Sequence, residues 1–249
     1  MINYKDYPLL PSLWCNRLQG KTAFVFGGGC SVNKYKRLYD RLTDHIIIGL
    51  NRCFPPYLDI KPNFVLWNDV SLWLSEEENL NKLDDSIFLC RRDCAPQHKA
   101  YFFDLLPKLA CPKGIQTLKG LGSSGQHGVQ LAYLLGCTSI VIIGLDGQLG
   151  KNKQTDFYGN NKFYNNISSA MERHARGVVW TDRFCRAKNI QLYNFGNNKI
   201  RKSTHTFEWV IEKSKLGVKK DWIKKRLFIG NEQSVYKNAN ELYILGKMT

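Results

Sequence analysis

Between residues 22 and 194, runs of five or six mostly apolar residues recur, and most are followed by glycine or polar side chains. A run that is apolar at nearly every position is typical of a strand buried on both faces of a parallel sheet. The runs predict strands at Thr22–Phe26, His45–Leu50, Asn63–Trp67, Ser86–Cys90, Ser139–Gly144 and Ile190–Asn194. We expect all of them to belong to one sheet.

The segments between these runs carry apolar residues three or four positions apart, which is the spacing of a helix with one buried face. This spacing predicts helices at Asn33–Leu42 and Ser168–Lys188, and a third helix for which Ser123 or Ser124 suits the N-cap. Tyr101–Leu106 is predicted as a short buried helix. Strands that alternate with helices predict an α/β fold with a doubly wound, mostly parallel, Rossmann-like sheet.

Composition adds a preference for an anionic partner. The chain has 36 Lys and Arg residues against 21 Asp and Glu residues, a formal net charge of +15. This excess favours nucleic acid, an anionic membrane surface or a phosphorylated glycan, whereas the plainer interpretation is that it only aids solubility.

The same composition bears on the compartment. No apolar run approaches the roughly 20 residues that span a bilayer, and the start lacks the pattern of a secretory signal. The eight cysteines show no zinc-like spacing, so we expect buried thiols in a reducing compartment. We therefore expect a cytoplasmic protein, with peripheral contact at an anionic surface as the alternative.

A glycine turn follows the first predicted strand and precedes the first predicted helix. Its residues are Gly27, Gly28 and Gly29, with Ser31 just beyond them. Glycine allows a close backbone approach, and a helix N-terminus carries partial positive charge, so this arrangement suits a phosphate. The alternative is that the glycines serve only the tight turn.

Polar residues follow the predicted strands and open the third helix. In an open parallel sheet, ligands bind at the carboxyl ends of the strands, so these side chains should meet near the glycine turn. A serine pair at a helix N-terminus also suits a phosphate or a sugar edge. The candidates are Asn51, Arg52, Asn68, Asp69, Ser123, Ser124, Gly125 and Asp146, with Arg91-Arg92 after the fourth strand.

The order of these motifs resembles that of bacterial lipooligosaccharide sialyltransferases and of the related 6-hydroxymethylpterin diphosphokinase-like family. The likeness covers roughly residues 20–200 and rests on Gly27–Ser31, Asn51, Asn68, Ser123–Gly125 and Gly144–Asp146. The turn departs from the sialyltransferase pattern: the second glycine stands in place of an Asn, and a cysteine stands in place of a Pro. The resemblance implies a GT-A-like variant of the Rossmann-like fold.

The resemblance to the sialyltransferases also implies roles. The cleft would hold a nucleotide sugar, with a cytidine nucleotide by resemblance and a uridine nucleotide as the alternative. Tyr158 would contact the phosphate, and His174 would act as the general base. From the residues themselves, His127 at the start of a helix is a rival base. Because the chain has no Asp-x-Asp motif, we expect no metal and no cofactor besides the nucleotide sugar.

The chain divides into two predicted parts. Residues 1–202 would form the Rossmann-like nucleotide-binding, catalytic domain, and 203–249 a basic, aromatic and helical extension. The extension could contact a polyanionic acceptor by charge and stacking, or simply present a solvated helical face. Its basic candidates are Lys219, Lys220, Lys224, Lys225 and Arg226.

Three functions fit the sequence. The first is a metal-independent glycosyltransferase that moves a sugar to a hydroxyl of a polyanionic acceptor, with hydroxylated bases in DNA slightly favoured over a cell-surface lipooligosaccharide. The second is a pterin pyrophosphokinase-like enzyme that uses ATP and Mg²⁺, for which Asp69 and Asp146 are the available carboxylates. The third is a non-enzymatic module that binds a nucleotide or nucleic acid.

Overall fold

The computed structural model describes residues 14–91, 100–106, 117–119, 123–159 and 166–214. Within these residues the fold is built around an eight-stranded sheet whose neighbouring strands are all parallel. The strands are β1 (Thr22–Phe26), β2 (Ile46–Leu50), β3 (Phe64–Trp67), β4 (Ile87–Arg91), β5 (Ala100–Leu106), β6 (Thr117–Lys119), β7 (Ser139–Ile143) and β8 (Gln191–Asn194). The helices are a long 3₁₀ helix (Cys30–Leu42), called the 3₁₀ helix below, α1 (Val70–Asn81), α2 (Ser124–Leu134), α3 (Ile167–Ala187) and α4 (Phe207–Lys213), with one short 3₁₀ turn at Lys151–Lys153.

The strand order is β6-β5-β4-β3-β2-β1-β7-β8, with β1 near the middle. The chain runs outward from β1 to β6, then returns to place β7 on the other side of β1. Phe26 at the end of β1 therefore lies opposite Gly49 of β2 and Ile143 of β7. This topology confirms the predicted α/β, Rossmann-like fold, and it puts a topological switch point at the carboxyl ends of β1 and β7.

Helices cover both faces of the sheet, as a doubly wound fold requires. On one face, α2 and α3 pack on alternate strand residues such as Val25 and Ile48. On the other face, the 3₁₀ helix and α4 pack on Phe24 and Phe26, and α1 packs on Trp67. Because both faces are covered, the central strands β1 to β4 and β7 are mostly apolar, which is why their runs were visible in the sequence.

The prediction of a helix at Tyr101–Leu106 is wrong. Residues Ala100–Leu106 form β5, which pairs in parallel with β4 and places Tyr101 opposite Leu89. A short apolar run fits a buried strand or a buried helix equally well, and pairing with a neighbouring strand decides between them. The helix α1 and the short strand β6 were not predicted.

The first part of the predicted C-terminal extension packs on the domain. Phe207, Val210 and Ile211 of α4 are buried beneath the 3₁₀ helix, and Arg41 of that helix forms an ion pair with Glu212. The division of the chain at residue 202 stays a prediction. The five predicted acceptor-binding residues, Lys219, Lys220, Lys224, Lys225 and Arg226, lie outside the described residues.

Two expectations from composition can be compared with the described part of the chain. Cys53, Cys137 and Cys185 are buried free thiols, in line with the expected cysteine chemistry. Among the helices of the described ranges, none combines the length and the apolar character that crossing a bilayer would need.

Candidate functional site

A cleft opens at the switch point, where the loops after β1, β2, β3 and β7 meet the first turn of α2 and one face of α3. Its volume is about 530 Å³, within the range that holds small ligands and cofactors. The strand-end residues in its wall include Leu50, Asn51, Asn68, Gly144 and Gly147. The ends of these strands, which were predicted to meet at one edge of the sheet, therefore line one cavity in this structure.

Most predicted nucleotide-binding residues line this cleft, namely Gly27, Gly28, Gly29, Asn51, Asn68, Asp69, Ser123, Ser124, Gly125 and Asp146. Among the catalytic candidates, His174 is part of the wall, whereas His127 and Tyr158 are not among the lining residues. Ser31 and Arg52 are also not among the lining residues. Side chains of the Arg91-Arg92 pair lie outside the described residues.

The glycine turn is bonded to the neighbouring strand end. The N–H of Gly27 donates to the carbonyl of Ile143, and the N–H of Gly29 donates to the carbonyl of Gly144, each at 2.8 Å. A Cβ atom on Gly27 would lie 2.5 Å from the Gly144 carbonyl oxygen. These glycines therefore serve a close backbone approach, and the two N–H groups are already engaged within the protein.

Asp146 connects the end of β7 to the start of the 3₁₀ helix. One of its carboxylate oxygens accepts from the backbone N–H of Ser31 at 2.9 Å, and the other from the Ser31 hydroxyl at 2.5 Å and the N–H of Asn197 at 2.8 Å. A carboxylate at a helix N-terminus satisfies its N–H groups and its partial positive charge. The Asp146 carboxylate thus occupies the helix N-terminus at which the sequence predicted a bound phosphate.

The start of α2 is the second helix N-terminus at the cleft. The Ser124 hydroxyl accepts from the amide of Asn68 at 3.1 Å and donates to Asn51 Oδ1 at 3.5 Å. Ser123 stands at the N-cap without a capping hydrogen bond from its side chain, and the first N–H groups of a helix have no partner inside it. Two asparagines, two serines and a positive helix end therefore converge on one wall, which suits an anion.

Asn51 reaches this wall through an uncommon backbone conformation. Its φ is 53°, in the left-handed region that Asn tolerates better than most other non-glycine residues. Its N–H donates to the carbonyl of Leu66 on β3 at 3.0 Å, which fixes the turn. The position after β2 therefore favours Asn for its backbone as well as for its amide group.

His127 lies behind Asn68. It is completely buried, and its Nδ1 atom is 2.9 Å from Nδ2 and 3.2 Å from Oδ1 of the Asn68 side chain. The ring can therefore orient this amide toward Ser124 and the cleft. This position suits a supporting side chain better than a base that meets substrate.

His174 lies on α3, across the cleft from the start of α2. Burial, with a smaller effect from the charge of Arg173, lowers the pKa of His174 to about 4. The imidazole is therefore neutral at pH 7 and can accept a hydrogen bond or a proton. Met171, Val178 and Thr181 lie on the same face of α3 and complete this wall.

Asp156 is a wall residue that sequence reasoning missed. It is only 5 % exposed, and a Cβ atom on Gly28 would lie 2.5 Å from its Oδ1 atom. Burial raises its pKa to about 6, although hydrogen bonds with Thr155 and Tyr158 act in the opposite direction. Nothing in the local sequence marks it, because its burial depends on how residues 147–159 fold back onto the glycine turn.

Tyr158 lies between Asp156 and a charged pair formed by Arg52 and Glu76. Its ring centroid lies 5.6 Å from the Arg52 guanidinium carbon, and Arg52 Nε donates to Glu76 at 2.5 Å. The Tyr57 hydroxyl donates to the same Glu76 oxygen at 2.7 Å. Arg52 therefore supports the loop that carries Tyr158 and Asp156.

Comparison with known proteins gives no assignment: no protein-family model matches the chain, and no curated protein matches it. The functional conclusion therefore rests on the geometry and chemistry of the cleft.

A second cavity, of about 750 Å³, adjoins the cleft and shares Asp146, Gly147 and Met171 with it. Its wall contains apolar side chains, including Ile167, and the cationic side chains of Lys153 and Lys199 among others. The two cavities together offer room for two molecules side by side, the second of them next to positive charge.

Proposed function

We propose that this protein is a glycosyltransferase that moves a sugar from a nucleotide-activated donor to a hydroxyl of a polyanionic acceptor. The observation that carries this proposal is the wall formed by Asn51, Asn68, Ser123 and Ser124 at the start of α2. Uncharged donors at a positive helix end suit the phosphate of a nucleotide. The position of this wall at the switch point of a parallel sheet suits the nucleotide as a whole.

The reaction needs a base and a stabilised leaving group. The acceptor oxygen forms a bond to the anomeric carbon while the bond between that carbon and the phosphate oxygen breaks, and the phosphate keeps the electron pair. In this proposal, the start of α2 and Ser124 stabilise the negative charge that develops on the departing phosphate. Of the two candidate histidines, His174 lines the cleft, and its neutral ring can take part in moving the hydroxyl proton.

The acceptor would enter through the adjoining cavity. Lys153 and Lys199 in its wall suit a phosphate or a carboxylate of the acceptor. The net charge of +15 supports a polyanion. We favour DNA with a hydroxylated base, because phosphate contacts dominate the affinity of basic proteins for DNA, and a lipooligosaccharide is the alternative acceptor.

The pterin pyrophosphokinase-like alternative needs carboxylates for Mg²⁺. Both oxygens of Asp146 already accept hydrogen bonds from Ser31 and Asn197. This leaves Asp69 as the exposed carboxylate of the predicted pair, which supports the alternative less well than the transfer reaction. A binding module without catalysis predicts that changes at His174 leave the function intact.

The proposal is tested by incubating the full chain with CMP-, UDP- and GDP-sugars and either duplex DNA that contains 5-hydroxymethyl bases or purified lipooligosaccharide. Sugar transfer in the presence of EDTA supports it. Ser124→Ala should lower transfer about tenfold or more, because the proposed phosphate-binding wall loses the hydroxyl that bonds to Asn51 and Asn68. Ser169→Ala, an exposed serine in the first turn of α3, is the matched control and should behave as the wild type.

Turnover of ATP with Mg²⁺ in place of any nucleotide sugar would contradict the transfer function. The acceptor is assigned in the same assay by replacing Lys219, Lys220, Lys224, Lys225 and Arg226 together with glutamine. If this variant no longer transfers sugar to DNA but still hydrolyses the nucleotide sugar, the extension acts in binding the acceptor.

A further inference from the structure

Three buried polar atoms in the wall of the cleft lack a hydrogen-bond partner in the described part of the protein. They are Gln126 Oε1, Asp156 Oδ2 and Thr181 Oγ1. A buried polar atom without a partner is costly, and in a cleft it marks an atom that a ligand can satisfy. Of these three side chains, only Asp156 exchanges a proton near neutral pH.

The backbone around Asp156 is fixed against the glycine turn. The N–H of Asp156 donates to the carbonyl of Gly159 at 3.0 Å, and the N–H of Phe157 donates to the carbonyl of Gly28 at 2.7 Å. The side chain is held by hydrogen bonds with Thr155 and Tyr158. The unpartnered oxygen is thus held in place at the wall, as a group that must meet a reacting hydroxyl requires.

We propose that Asp156 is the base that takes the proton from the attacking hydroxyl in this cleft. The inference rests on the proposed transfer function. The carboxylate accepts the hydroxyl proton, the freed oxygen bonds to the anomeric carbon, and the phosphate leaves with the electron pair of the broken bond. The proton then passes from Asp156 to water. His174 is a neighbouring hydrogen-bonding group in this scheme.

The groups that face Asp156 support this role. From the loop after β2 come Arg52, whose positive charge favours the carboxylate, and the buried thiol of Cys53. The thiol of Cys30 faces it from the start of the 3₁₀ helix, and burial raises the pKa of both thiols, so they stay neutral. Tyr158 contacts it from its own loop.

The balance of these effects leaves a carboxylate that is ionised at pH 7 but more basic than an ordinary Asp. Its pKa is raised to about 6 by burial, whereas the pKa of His174 is lowered to about 4, also by burial. A base is more effective when its pKa lies nearer the working pH. Of the two wall residues, Asp156 is therefore the better proton acceptor.

The test compares Asp156→Asn, His174→Gln and the wild type in the full chain. Calorimetry first measures the affinity for CMP, UDP and GDP, and nucleotide release from the corresponding nucleotide sugars is then followed from pH 5 to 8.5 in the presence of the acceptors used in the transfer assay. Asp156→Asn should bind the nucleotide at least as well as the wild type, because a negative charge is removed, and lower kcat by about 10²–10⁴-fold. His174→Gln should lower kcat by about tenfold or less.

Two further variants keep the result interpretable. Asp44→Asn removes the same charge at an exposed position and should leave kcat unchanged. Tyr158→Phe removes a hydrogen bond that lowers the pKa of Asp156, so the acidic limb of the pH–rate profile should move to higher pH. This shift tests the inference even where Asp156→Asn fails to fold.

Each outcome decides a separate point. Nucleotide binding with unchanged turnover and pH profile in Asp156→Asn would overturn the role of Asp156 and leave the transfer function in place. A Tyr158→Phe profile that coincides with the wild type would overturn it as well. If the wild type binds no nucleotide, or releases none from any nucleotide sugar, the transfer function itself fails and the inference fails with it.

Discussion

The carboxylate of Asp146 accepts hydrogen bonds from both the backbone N–H and the hydroxyl of Ser31, at 2.9 Å and 2.5 Å. The two residues lie 115 positions apart in the chain, so this contact ties the end of β7 to the segment that follows β1. Both residues were predicted to bind the donor nucleotide. In the structure they bond to each other, and the start of α2 is the helix N-terminus that we propose as the anion-binding wall.

The first prediction follows from this contact. Asp146→Asn should destabilise the protein by roughly 1–3 kcal/mol, because charged hydrogen bonds to two N–H groups are weakened inside a buried site. Urea unfolding measures the change. The control is Asp69→Asn, since Asp69 is exposed at the N-cap of α1 and makes no capping hydrogen bond. It should change stability by less than about 0.5 kcal/mol. Equal effects of the two variants would contradict the structural role of Asp146.

The glycine turn predicts two different outcomes for neighbouring alanine substitutions. Gly27→Ala would force a Cβ atom to 2.5 Å from the backbone oxygen of Gly144, so we expect a loss of roughly 1–3 kcal/mol of stability. Gly28→Ala meets the side chain of Asp156 instead, so it should lower turnover more than stability. Thermal unfolding and nucleotide release, measured on both variants, would show the contrast. A Gly28→Ala protein with normal turnover would contradict it.

His127 is predicted to act through Asn68. His127→Phe keeps a ring of similar size but removes the nitrogen atoms, so the Asn68 amide loses an orienting partner. Nucleotide affinity should fall about tenfold, as is typical when a supporting hydrogen bond is removed. The shape of the pH–rate profile should stay the same. If His127 were the base, the profile would lose a titrating limb and kcat would fall together with kcat/KM.

His174 and Asp156 should give opposite pH dependences of stability. The pKa of His174 falls from 6.5 to about 4 on folding, so the unfolded chain binds more protons in that window and stability rises with pH. The pKa of Asp156 rises from 3.8 to about 6, so the folded chain binds more protons and stability falls with pH.

Urea unfolding at several pH values between 4 and 8 separates these two contributions. Relative to the wild type, His174→Gln should be more stable at pH 4.5 than at pH 7.5. Asp156→Asn should gain relative stability as the pH rises through 6. Parallel curves for all three proteins would show that neither group changes its pKa on folding.

The sequence allowed the architecture to be predicted because both faces of this sheet are covered. β2 is buried at every position, and β7 is apolar and buried from Ile140 to Ile143, and that pattern identifies them without any relatives. Tyr101–Leu106 was misread because a short, mostly apolar run fits two structures, and only the pairing with β4 decides between them. The positions of the strand-end residues in the site could be predicted, because the carboxyl ends of parallel strands all lie at one edge of the sheet.

Roles within the site were harder to predict than positions. Gly27 and Gly29 look like phosphate-binding residues in sequence, yet their N–H groups are used by the end of β7, which comes more than 100 residues later. Asp156 has no local signature, because its burial and its missing partner arise only when its loop folds onto Gly28. Such roles depend on long-range contacts that periodicity does not encode.

The most direct test of the proposed nucleotide cleft is a thermal-shift panel of CMP, UDP, GDP and ATP, each with Mg²⁺ and with EDTA, on the wild type and on Ser124→Ala. We expect a pyrimidine nucleotide to raise the melting temperature of the wild type equally in Mg²⁺ and in EDTA, and Ser124→Ala to lose most of that shift. Stabilisation by ATP with Mg²⁺ alone, or no shift with any nucleotide, would contradict the account.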